Sequence, residues 1–427
     1  MPTSEVDSLR RSVQIYKGLV EVSGLINSIT DYDELLRAVL NVARRVMRAE
    51  AASLFFCEEN EDCMELAISS SADGEYVAPK IRVPRGRGIA GWVVEHGQSL
   101  LIPDAYADDR FYKEADKQTG FRTRSILCAP LKQDSKIIGV LQVLNPTDKE
   151  SFDEQDLESF TAYSDLTATA IEKLRTIERS RAQERVERDL SIAAEIQHEL
   201  LSRALPSKLP GALFAAHATP ASNVGGDFYN FFVRQGEDIY FAIGDVSGKG
   251  IPASLLMAQT LSAMQFVFAA ATTPSEALST LNSTLHDQIV RGMFITSLIG
   301  RLTPAEQRLE IASAGHCKPI LIHGNGEAEE IAVEPALPMG ILPSVNYRQL
   351  TLDLHKGDWL VCYTDGLSES RDEQNGQFFG DTIVERLRAT PYLNPQQIVD
   401  RLVDLEAAHR GDGGRLDDLT IIAGGIA

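Results

Sequence analysis

The first part of the chain alternates between helical and strand-like hydrophobic patterns. Residues 32–47, YDELLRAVLNVARRVM, space their apolar side chains as one face of an amphipathic helix. AASLFFCEE and MELAISSS flank the polar turn ENEDC and predict two strands, and SILCAPLKQDSKIIGVLQVLN predicts a hairpin with its tip near residues 133–135. SFDEQDLESFTAYSDLTATAIEKL predicts a closing helix that begins at a Ser or Asp cap. Residues 16–174 are therefore expected to form a compact α+β domain.

Residues 175–205 have a different pattern, because they are heavily charged and contain neither Gly nor Pro. Apolar side chains recur there near heptad spacing, which predicts a long helix or a short coiled coil. These positions are Leu174, Ile177, Val186, Leu190, Ala193, Ile196 and Leu200. The spacing favours the seam of a parallel homodimer, and a solvated connecting helix is the alternative. Pro206 and Pro210 end the segment.

Residues 206–427 alternate strands, turns and helices. Two helix starts are explicit: Thr273 is followed by Pro274 and then by Glu276, and Asn394 is followed by Pro395. A capping side chain, a proline at the first helical position and a Glu two residues later are typical of a helix N-terminus. This region is expected to form a separate mixed α/β domain.

Four apolar strand runs in this region each carry an aspartate at one end. The aspartates are Asp227 in VGGD, Asp245 in GDVSG, Asp365 in YTDG, and Asp417 with Asp418 in DDLT. Any one of them is explained by turn chemistry, because Asp beside Gly is common at strand ends. Four together indicate a shared role, since buried carboxylates repel one another unless a cation neutralises them. Oxygen ligands suit Mg²⁺ or Mn²⁺, and two such ions about 3.5–4 Å apart can activate water for attack on phosphorus.

Composition narrows the class of protein. The 427 residues carry a formal net charge of -20, from 41 basic and 61 acidic side chains, which argues against binding a nucleic-acid backbone. The five cysteines form no CxxC pair, so we expect neither a disulfide framework nor a zinc ribbon. The N-terminus MPTSEVDSLRRS lacks the apolar core of a signal peptide, and no apolar run is expected to reach the ~20 residues of a membrane span. The expected location is the cytoplasm.

The aspartate motifs and their surroundings resemble the protein phosphatase 2C superfamily, in its bacterial SpoIIE-like branch. The matching stretches are IQHELLSRALP, VGGDFYN, GDVSGKGIPASLLM, MFITSLIG, ASAGHCKPI, LPMGILP, GDWLVCYTDGLSES and DDLT. The resemblance covers residues 206–427 and implies an αββα sandwich with two Mn²⁺ or Mg²⁺ ions. It implies that Asp245 bridges both ions and that the Val246 carbonyl contributes to the cluster, together with Asp227, Asp365 and Asp417. Asp418 is expected to support its neighbour.

Several positions depart from this family pattern or leave alternatives open. The loop after Asp245 reads VSGKG and lacks the His of eukaryotic relatives, and Asn223 and Asn230 stand where the branch usually has acidic residues. We expect these changes to alter the properties of the site without abolishing its activity. His316 is either a catalytic base or a structural residue at a turn, and Lys249 either contacts a phosphate or is solvated.

The first domain resembles a GAF domain. The resemblance rests on RGRGIAGWVVEHGQSLLIPDAYADDRF, SILCAPLKQDSKIIGVLQVLN and SFDEQDLESF. Such domains bind cyclic nucleotides, tetrapyrroles, small metabolites or nothing, so a small-molecule ligand stays open. Trp92 and Phe111 either line a pocket or belong to the core.

Taken together, the two resemblances imply a metal-dependent phosphoserine/phosphothreonine protein phosphatase regulated by a GAF sensor domain. Its implied substrate is a phosphorylated anti-anti-sigma protein of the STAS type. Regulation is expected to pass through the helical linker, whose packing would move the helix IPASLLMAQTLSAM after Asp245. The alternatives are a catalytically silent signalling module and a ligand-binding sensor scaffold, with nucleotide phosphodiesterase activity as a further enzymatic alternative.

Overall fold

The structure is a computed structural model, and its chain divides into two compact units, residues 1–184 and 185–427. The residues that it describes are 17–18, 20, 24, 29–57, 63–70, 76–77, 82–111, 113, 116, 121–134, 136–206, 209–234, 238–372, 376–388, 394–411 and 413–427.

The described part of the N-terminal unit is built on one antiparallel sheet. Its helices are α1 (Tyr32–Met47), α2 (Gly88–His96) and the first part of α3 (Glu154–Ala204). Its strands are β1 (Ala49–Cys57), β2 (Cys63–Ser70), β3 (Tyr76–Val77), β4 (Arg82–Pro84), β5 (Leu100–Ile102), β6 (Ile126–Gln133) and β7 (Lys136–Pro146). The strand order is β3-β2-β1-β7-β6-β5, and β4 pairs with β2. The predicted helix, the strand pair and the hairpin are all confirmed.

Two apolar clusters cover this sheet. Helices α1 and α3 bury Leu40, Phe160 and other side chains against strands β1, β6 and β7. Helix α2 contributes Val93 to a second cluster, together with Met64 and Val140 of the strands. In both clusters, apolar side chains of helices pack against those of the sheet. The unit therefore has the α+β core that the hydrophobic pattern predicts.

Helix α3 is 51 residues long and runs without interruption from the closing helix of the N-terminal unit into the linker. The absence of Gly and Pro between residues 154 and 204 explains this continuity. Four large apolar side chains of its second half are exposed, namely Val186, Ile192, Ile196 and Leu200. They form what we call the linker stripe.

The C-terminal unit contains two five-stranded antiparallel sheets in its described part. The strands are β8 (Ala212–Thr219), β9 (Phe228–Val233), β10 (Ile239–Val246), β11 (Ile295–Thr303), β12 (Arg308–Ala314), β13 (Ile320–Ile322), β14 (Ala328–Glu330), β15 (Gln349–Asp353), β16 (Trp359–Tyr363) and β17 (Leu419–Ile426). One sheet has the order β15-β12-β11-β10-β9, and the other has the order β14-β13-β16-β17-β8.

Helices lie against both of these sheets. They are α4 (Ile251–Ala270), α5 (Pro274–Leu285), α6 (Asp365–Ser368), α7 (Ile383–Leu387) and α8 (Pro395–Arg410). Helices α4 and α5 contact strands β9 to β12 of the first sheet, whereas α7 and α8 contact strands of the second. This confirms the αββα sandwich. The predicted caps are also confirmed, because Thr273 and Asn394 each accept a backbone N–H three residues on.

Helix α4 corrects one expectation from the sequence. Its 20 residues are long and apolar enough to cross a membrane by length and composition alone, although no such run was expected. In the sandwich, however, its buried side chains include Met257, Met264 and Phe268, which belong to the core formed with strands β9 and β10. The same composition is therefore accounted for by packing on the sheet, and 44% of the apolar window is buried.

Candidate active site

Each sheet of the sandwich delivers two of the predicted aspartates. In the first sheet, Asp227 directly precedes β9 and Asp245 lies at the end of β10, and the two strands pair antiparallel up to Gly244 and Phe228. In the second sheet, Asp365 follows β16 and Asp417 precedes β17, which are also antiparallel neighbours. Antiparallel pairing places the end of one strand beside the start of the next, so each pair of aspartates lies at one sheet end.

The two glycines of VGGD allow these ends to approach each other. A Cβ on Gly225 would lie 2.1 Å from Oδ2 of Asp418, which belongs to the second sheet. A Cβ on Gly226 would lie 2.6 Å from the carbonyl oxygen of Val246 and 3.1 Å from Oδ1 of Asp245. Since real side-chain carbons do not approach so closely, only glycine fits at both positions. The loop before Asp227 is therefore enclosed by residues of both sheets.

Asp227 is the most buried of the four predicted aspartates, with 5% of its surface exposed. Its Oδ2 accepts a hydrogen bond of 2.7 Å from Oγ1 of Thr364, and that hydroxyl in turn accepts the N–H of Thr420 at 2.9 Å. Burial raises the pKa of Asp227 well above its ordinary value, and the charge of Asp245 adds to this, while the Thr364 hydrogen bond opposes it. The carboxyl group is thus fixed in orientation but costly to ionise alone.

Asp245 lies at the electrostatic centre of the group. Burial, and after it the charges of Asp365, Asp417 and Asp418, together raise its pKa to about 7. Burial also raises the pKa of Asp365, with Asp417 as the next contributor. Carboxyl groups that hinder one another's ionisation in this way favour a bound cation, which removes the repulsion.

The neighbouring residues Asp417 and Asp418 have different surroundings. Asp418 is buried, and its two oxygens accept backbone N–H groups of Ala221 at 2.8 Å and Gly226 at 2.7 Å. Asp417 is half-exposed, and its Oδ2 lies 3.0 Å from the ammonium group of Lys249. Asp418 therefore holds the backbone of the loop that precedes Asp227, and which of Asp417 and Asp418 binds a cation stays a prediction. Lys249 forms an exposed ion pair with Asp417, and a contact with phosphate stays a prediction.

The donor set fits a hard divalent cation in kind and in charge. The oxygens available are those of the four carboxylates and the Val246 carbonyl, and oxygen donors are what Mg²⁺ and Mn²⁺ prefer. Within the described ranges, however, no three His, Cys, Asp or Glu side chains converge closely enough to hold an ion as they stand. The Lys249–Asp417 pair supplies one positive charge at this edge of the group.

His316 follows β12 and lies close to this site. Its Nδ1 lies 2.9 Å from Oγ1 of Thr296, the residue that pairs with Asp245 across β10 and β11. Its backbone N–H donates to Oγ of Ser313, and burial lowers the pKa of the ring to about 4. These contacts favour the structural alternative for His316, since the imidazole holds a turn beside the strand that carries Asp245.

Comparison with known families agrees with this architecture. Residues 235–425 match the family described as Stage II sporulation protein E (SpoIIE), and residues 31–171 match the GAF domain. The chain thus combines a GAF match in its N-terminal unit with a SpoIIE match in its C-terminal unit. The fold of the SpoIIE-type domain is shared with the SiaA-PP2C domain of Pseudomonas aeruginosa, at a TM-score of 0.52 and 20% identity, over 58% of this chain and 99% of that one.

Two curated proteins are similar in sequence to parts of the chain. Phosphoserine phosphatase RsbU of Bacillus subtilis (strain 168) is 33% identical over 223 residues, which cover 52% of this chain and 65% of RsbU. The dual 3',5'-cyclic-AMP and -GMP phosphodiesterase 11A of Takifugu rubripes is 36% identical over 166 residues, which cover 36% of this chain and 18% of that protein. The chain thus spans less than two thirds of either relative.

Two residues, one in the linker helix and one in the second sheet's Asp365 loop, lie at the site without having been assigned a role from the sequence. Thr364 precedes Asp365 in YTDG and orients Asp227, and Gln197 of IQHELL contacts Gly225. Both lie within the family motifs, so the motifs indicated their neighbourhood. Their partners lie 137 and 28 positions away, and no local pattern indicates such contacts.

The GAF domain has a small cavity in its described part. It measures about 120 Å³ and lies between the start of α1 and helix α3, with Leu35, Leu174 and Lys173 among its lining residues. Ligand pockets of drug-sized molecules are usually about 300–1,000 Å³. Trp92 and Phe111 do not line this cavity and pack against the second apolar cluster of the sheet.

Proposed function

We propose that the chain is a metal-dependent phosphoserine/phosphothreonine protein phosphatase whose activity the GAF domain regulates. The observation that supports the proposal is electrostatic: burial and the charges of Asp365, Asp417 and Asp418 raise the pKa of Asp245 to about 7, while burial and the charge of Asp245 in turn raise the pKa of Asp227. This is a group of oxygen donors that favours a divalent cation over isolated negative charges. The similarity to phosphoserine phosphatase RsbU supports the same activity.

The residues proposed to hold the cations are the four aspartates and the carbonyl of Val246. Two Mn²⁺ or Mg²⁺ ions bound there would supply Lewis-acid stabilisation of the phosphoryl group and a water of lowered pKa. The chain's own residues organise the donors. Thr364 fixes the orientation of Asp227 by a 2.7 Å hydrogen bond, and Asp418 holds the Gly226 backbone at 2.7 Å.

The proposed substrate is a phosphorylated anti-anti-sigma protein of the STAS type, and the proposed assembly is a homodimer. The STAS-type substrate is what the resemblance to SpoIIE-like phosphatases implies, and the name of the relative, phosphoserine phosphatase RsbU, supports a phosphoserine substrate. The linker stripe supports the dimer, because exposed apolar side chains at repeated helical positions are typical of a helix pair. We also propose that the GAF domain binds a low-molecular-weight ligand.

The test is hydrolysis of p-nitrophenyl phosphate and a phosphoserine peptide by the full chain, with EDTA, Mg²⁺ or Mn²⁺. We expect cation-dependent release of phosphate that Asp365→Asn lowers by about 100-fold or more, since even supporting residues of metal sites contribute 10–100-fold. Asp353→Asn is the matched control, because Asp353 is exposed on the edge strand β15.

Two results would count against the enzyme. Turnover that EDTA does not abolish would contradict metal dependence. No turnover on either substrate, and none on a phosphorylated STAS-domain protein, would favour the silent signalling module or the sensor scaffold.

A further inference from the structure

The cavity of the GAF domain lies where helix α3 leaves the core of the N-terminal unit. The positions of α3 that line it are Ala170, Lys173, Leu174, Ile177 and Arg181. Because side chains three or four positions apart lie on the same face of a helix, these residues form one stripe along α3. An α-helix rises about 1.5 Å per residue, so the stripe is about 16 Å long. The cavity therefore follows the length of the helix and has two distinct ends.

The floor of this cavity is apolar and buried. Leu35 of α1 and Ala170 and Leu174 of α3 line it, and these three residues are between 1% and 6% exposed. Ala170 is the smallest of them, and a larger side chain at this position would occupy part of the space. The cavity measures about 120 Å³. Since an apolar cavity of about 150 Å³ takes up a benzene ring, this one has room for an apolar group of about four to six carbon atoms.

The exposed rim of the cavity carries positive charge. Lys173 and Arg181 are exposed and line it, as does Thr30, which has a hydroxyl group. None of the described lining residues is acidic, although the chain has 61 acidic and only 41 basic side chains. A guanidinium group can donate two parallel hydrogen bonds to a carboxylate. A carboxylate adds only two oxygen atoms, so most of the volume remains for an apolar tail.

We infer that this cavity binds a short-chain monocarboxylate, whose apolar tail lies on Leu35, Ala170 and Leu174 and whose carboxylate faces Arg181. The inference rests on the part of the proposed function that gives the GAF domain a low-molecular-weight ligand. The floor residues belong to the apolar cluster that α1 and α3 form on the sheet, not to the cluster under helix α2. A bound carboxylate would contact both α1 and α3, and would stabilise α3 at the point where it leaves the domain core.

The experiment titrates the full chain with sodium hexanoate and follows binding by ligand-observed NMR. Hexan-1-ol is the uncharged probe of similar length, and propionate is the charged probe with a shorter tail. We expect a Kd for hexanoate below about 1 mM and a Kd at least about tenfold higher for each of the other two probes, which lack either the charge or most of the apolar contact. Bound hexanoate should slow amide exchange in peptides that cover residues 29–36 and 170–182.

Two variants locate the site. Ala170→Leu fills the cavity and should abolish hexanoate binding. Arg181→Gln removes the guanidinium group and should raise the Kd about tenfold, because hydrogen bonds to charged groups are among the stronger ones. Arg179→Gln is the matched control, since Arg179 is exposed on the same helix but is not among the described lining residues, and it should leave the Kd unchanged.

Thermal melting shows whether the variants are folded, and Arg181→Gln, at an exposed position, tests the site even if Ala170→Leu does not fold. The inference is overturned if the full chain binds hexanoate no more tightly than about 10 mM, if hexan-1-ol binds as tightly, or if the folded variants bind within twofold of the parent. None of these measurements depends on turnover. A chain that binds hexanoate but hydrolyses no phosphate ester would lose the proposed activity and keep the site, and an active chain that binds none would lose the site alone.

Discussion

At the scale of single residues, Asp245 shows how a proton and a cation compete for the same carboxyl group. Burial and then the charges of Asp365, Asp417 and Asp418 raise its pKa to about 7. An unfolded chain would ionise this group near pH 3.9. Between about pH 3.9 and about pH 7, the folded chain without metal therefore keeps a proton on Asp245 that the unfolded chain has lost. The contribution of Asp245 to the free energy of unfolding is greatest below about pH 3.9 and is lost as the pH rises to about 7.

Mn²⁺ affinity should follow the opposite course. Because a carboxyl group must lose its proton to bind a cation, the Kd for Mn²⁺ should fall at least about tenfold per pH unit below pH 7 and level off above it. Titration calorimetry between pH 5.5 and 8.5 measures this dependence. Burial also raises the pKa of Asp227, so its proton should weaken Mn²⁺ binding at low pH as well.

Asp245→Asn provides the control for the stability side of this argument. In EDTA, the variant should melt at a higher temperature than the parent at pH 8, where the parent carries the repelled charge, and should gain least near pH 4. If the melting temperatures of the two proteins differ by the same amount at every pH from 4 to 8, the raised pKa of Asp245 is contradicted.

The same residues show which parts of the site could be predicted from the sequence. The aspartates were predicted because each lies beside an apolar run, and three lie beside glycines, which are local signals. The different surroundings of Asp417 and Asp418 have a long-range cause, because Asp418 holds Ala221 and Gly226, which lie 197 and 192 positions away. The roles of Gln197 and Thr364 depend on such contacts alone.

At the scale of elements, helix α8 connects the two segments that carry Asp365 and Asp417. Its Glu406 is completely buried and accepts hydrogen bonds from Ser370 at 2.9 Å, from Arg410 at 3.0 Å and from Arg415 at 2.9 Å. Burial by itself raises the pKa of Glu406, but the hydrogen bonds from Arg415 and Ser370 and the charges of Arg415 and Arg410 outweigh it, so the pKa lies below its ordinary value.

Glu406→Ala should therefore lower the free energy of unfolding by about 3 kcal/mol, because it leaves two partly buried guanidinium groups without their carboxylate. Glu406→Gln keeps the shape and should cost less. Urea unfolding at pH 7 measures both, with Asp404→Ala on the exposed side of α8 as the control.

The pH dependence gives a second check of the Glu406 contacts. A carboxyl group of lowered pKa contributes stability that is present above its unfolded pKa, near 4.3, and is lost as the pH falls through the lower folded value. The difference between the parent and Glu406→Gln should shrink as the pH falls below about 4. An unchanged difference at pH 3 would show that the charge of Glu406 is not what stabilises the parent.

The helices and strands could be predicted more readily than the way in which they pair and pack. The helix at residues 32–47, the final strand and the two proline-started helices follow from local periodicity and caps. The order in which strands β8 to β17 pair does not, because strands β8 and β17 pair across about 200 residues of chain. The αββα arrangement came from the family resemblance, and helix α4 showed that an apolar composition alone does not separate a core helix from a membrane helix.

At the scale of the whole molecule, the linker stripe is an exposed apolar surface that a second copy of the helix could cover. Val186, Ile192, Ile196 and Leu200 are between 45% and 58% exposed, whereas Gln197 and Leu201, at adjoining positions of the helix, are buried. A second copy of the helix would cover the stripe while Gln197 stays on the Asp227 loop.

This arrangement predicts that the chain is a dimer in solution and that charges on the stripe dissociate it. Val186→Glu combined with Leu200→Glu removes apolar area and places like charges opposite each other in a parallel seam, so the Kd of the dimer should rise about 100-fold. Sedimentation equilibrium at micromolar concentrations measures this change. Ser191→Glu, on an exposed position away from the stripe, should leave the dimer intact. A parent chain that sediments as a monomer, or a double variant that stays dimeric, would assign the stripe to a different partner.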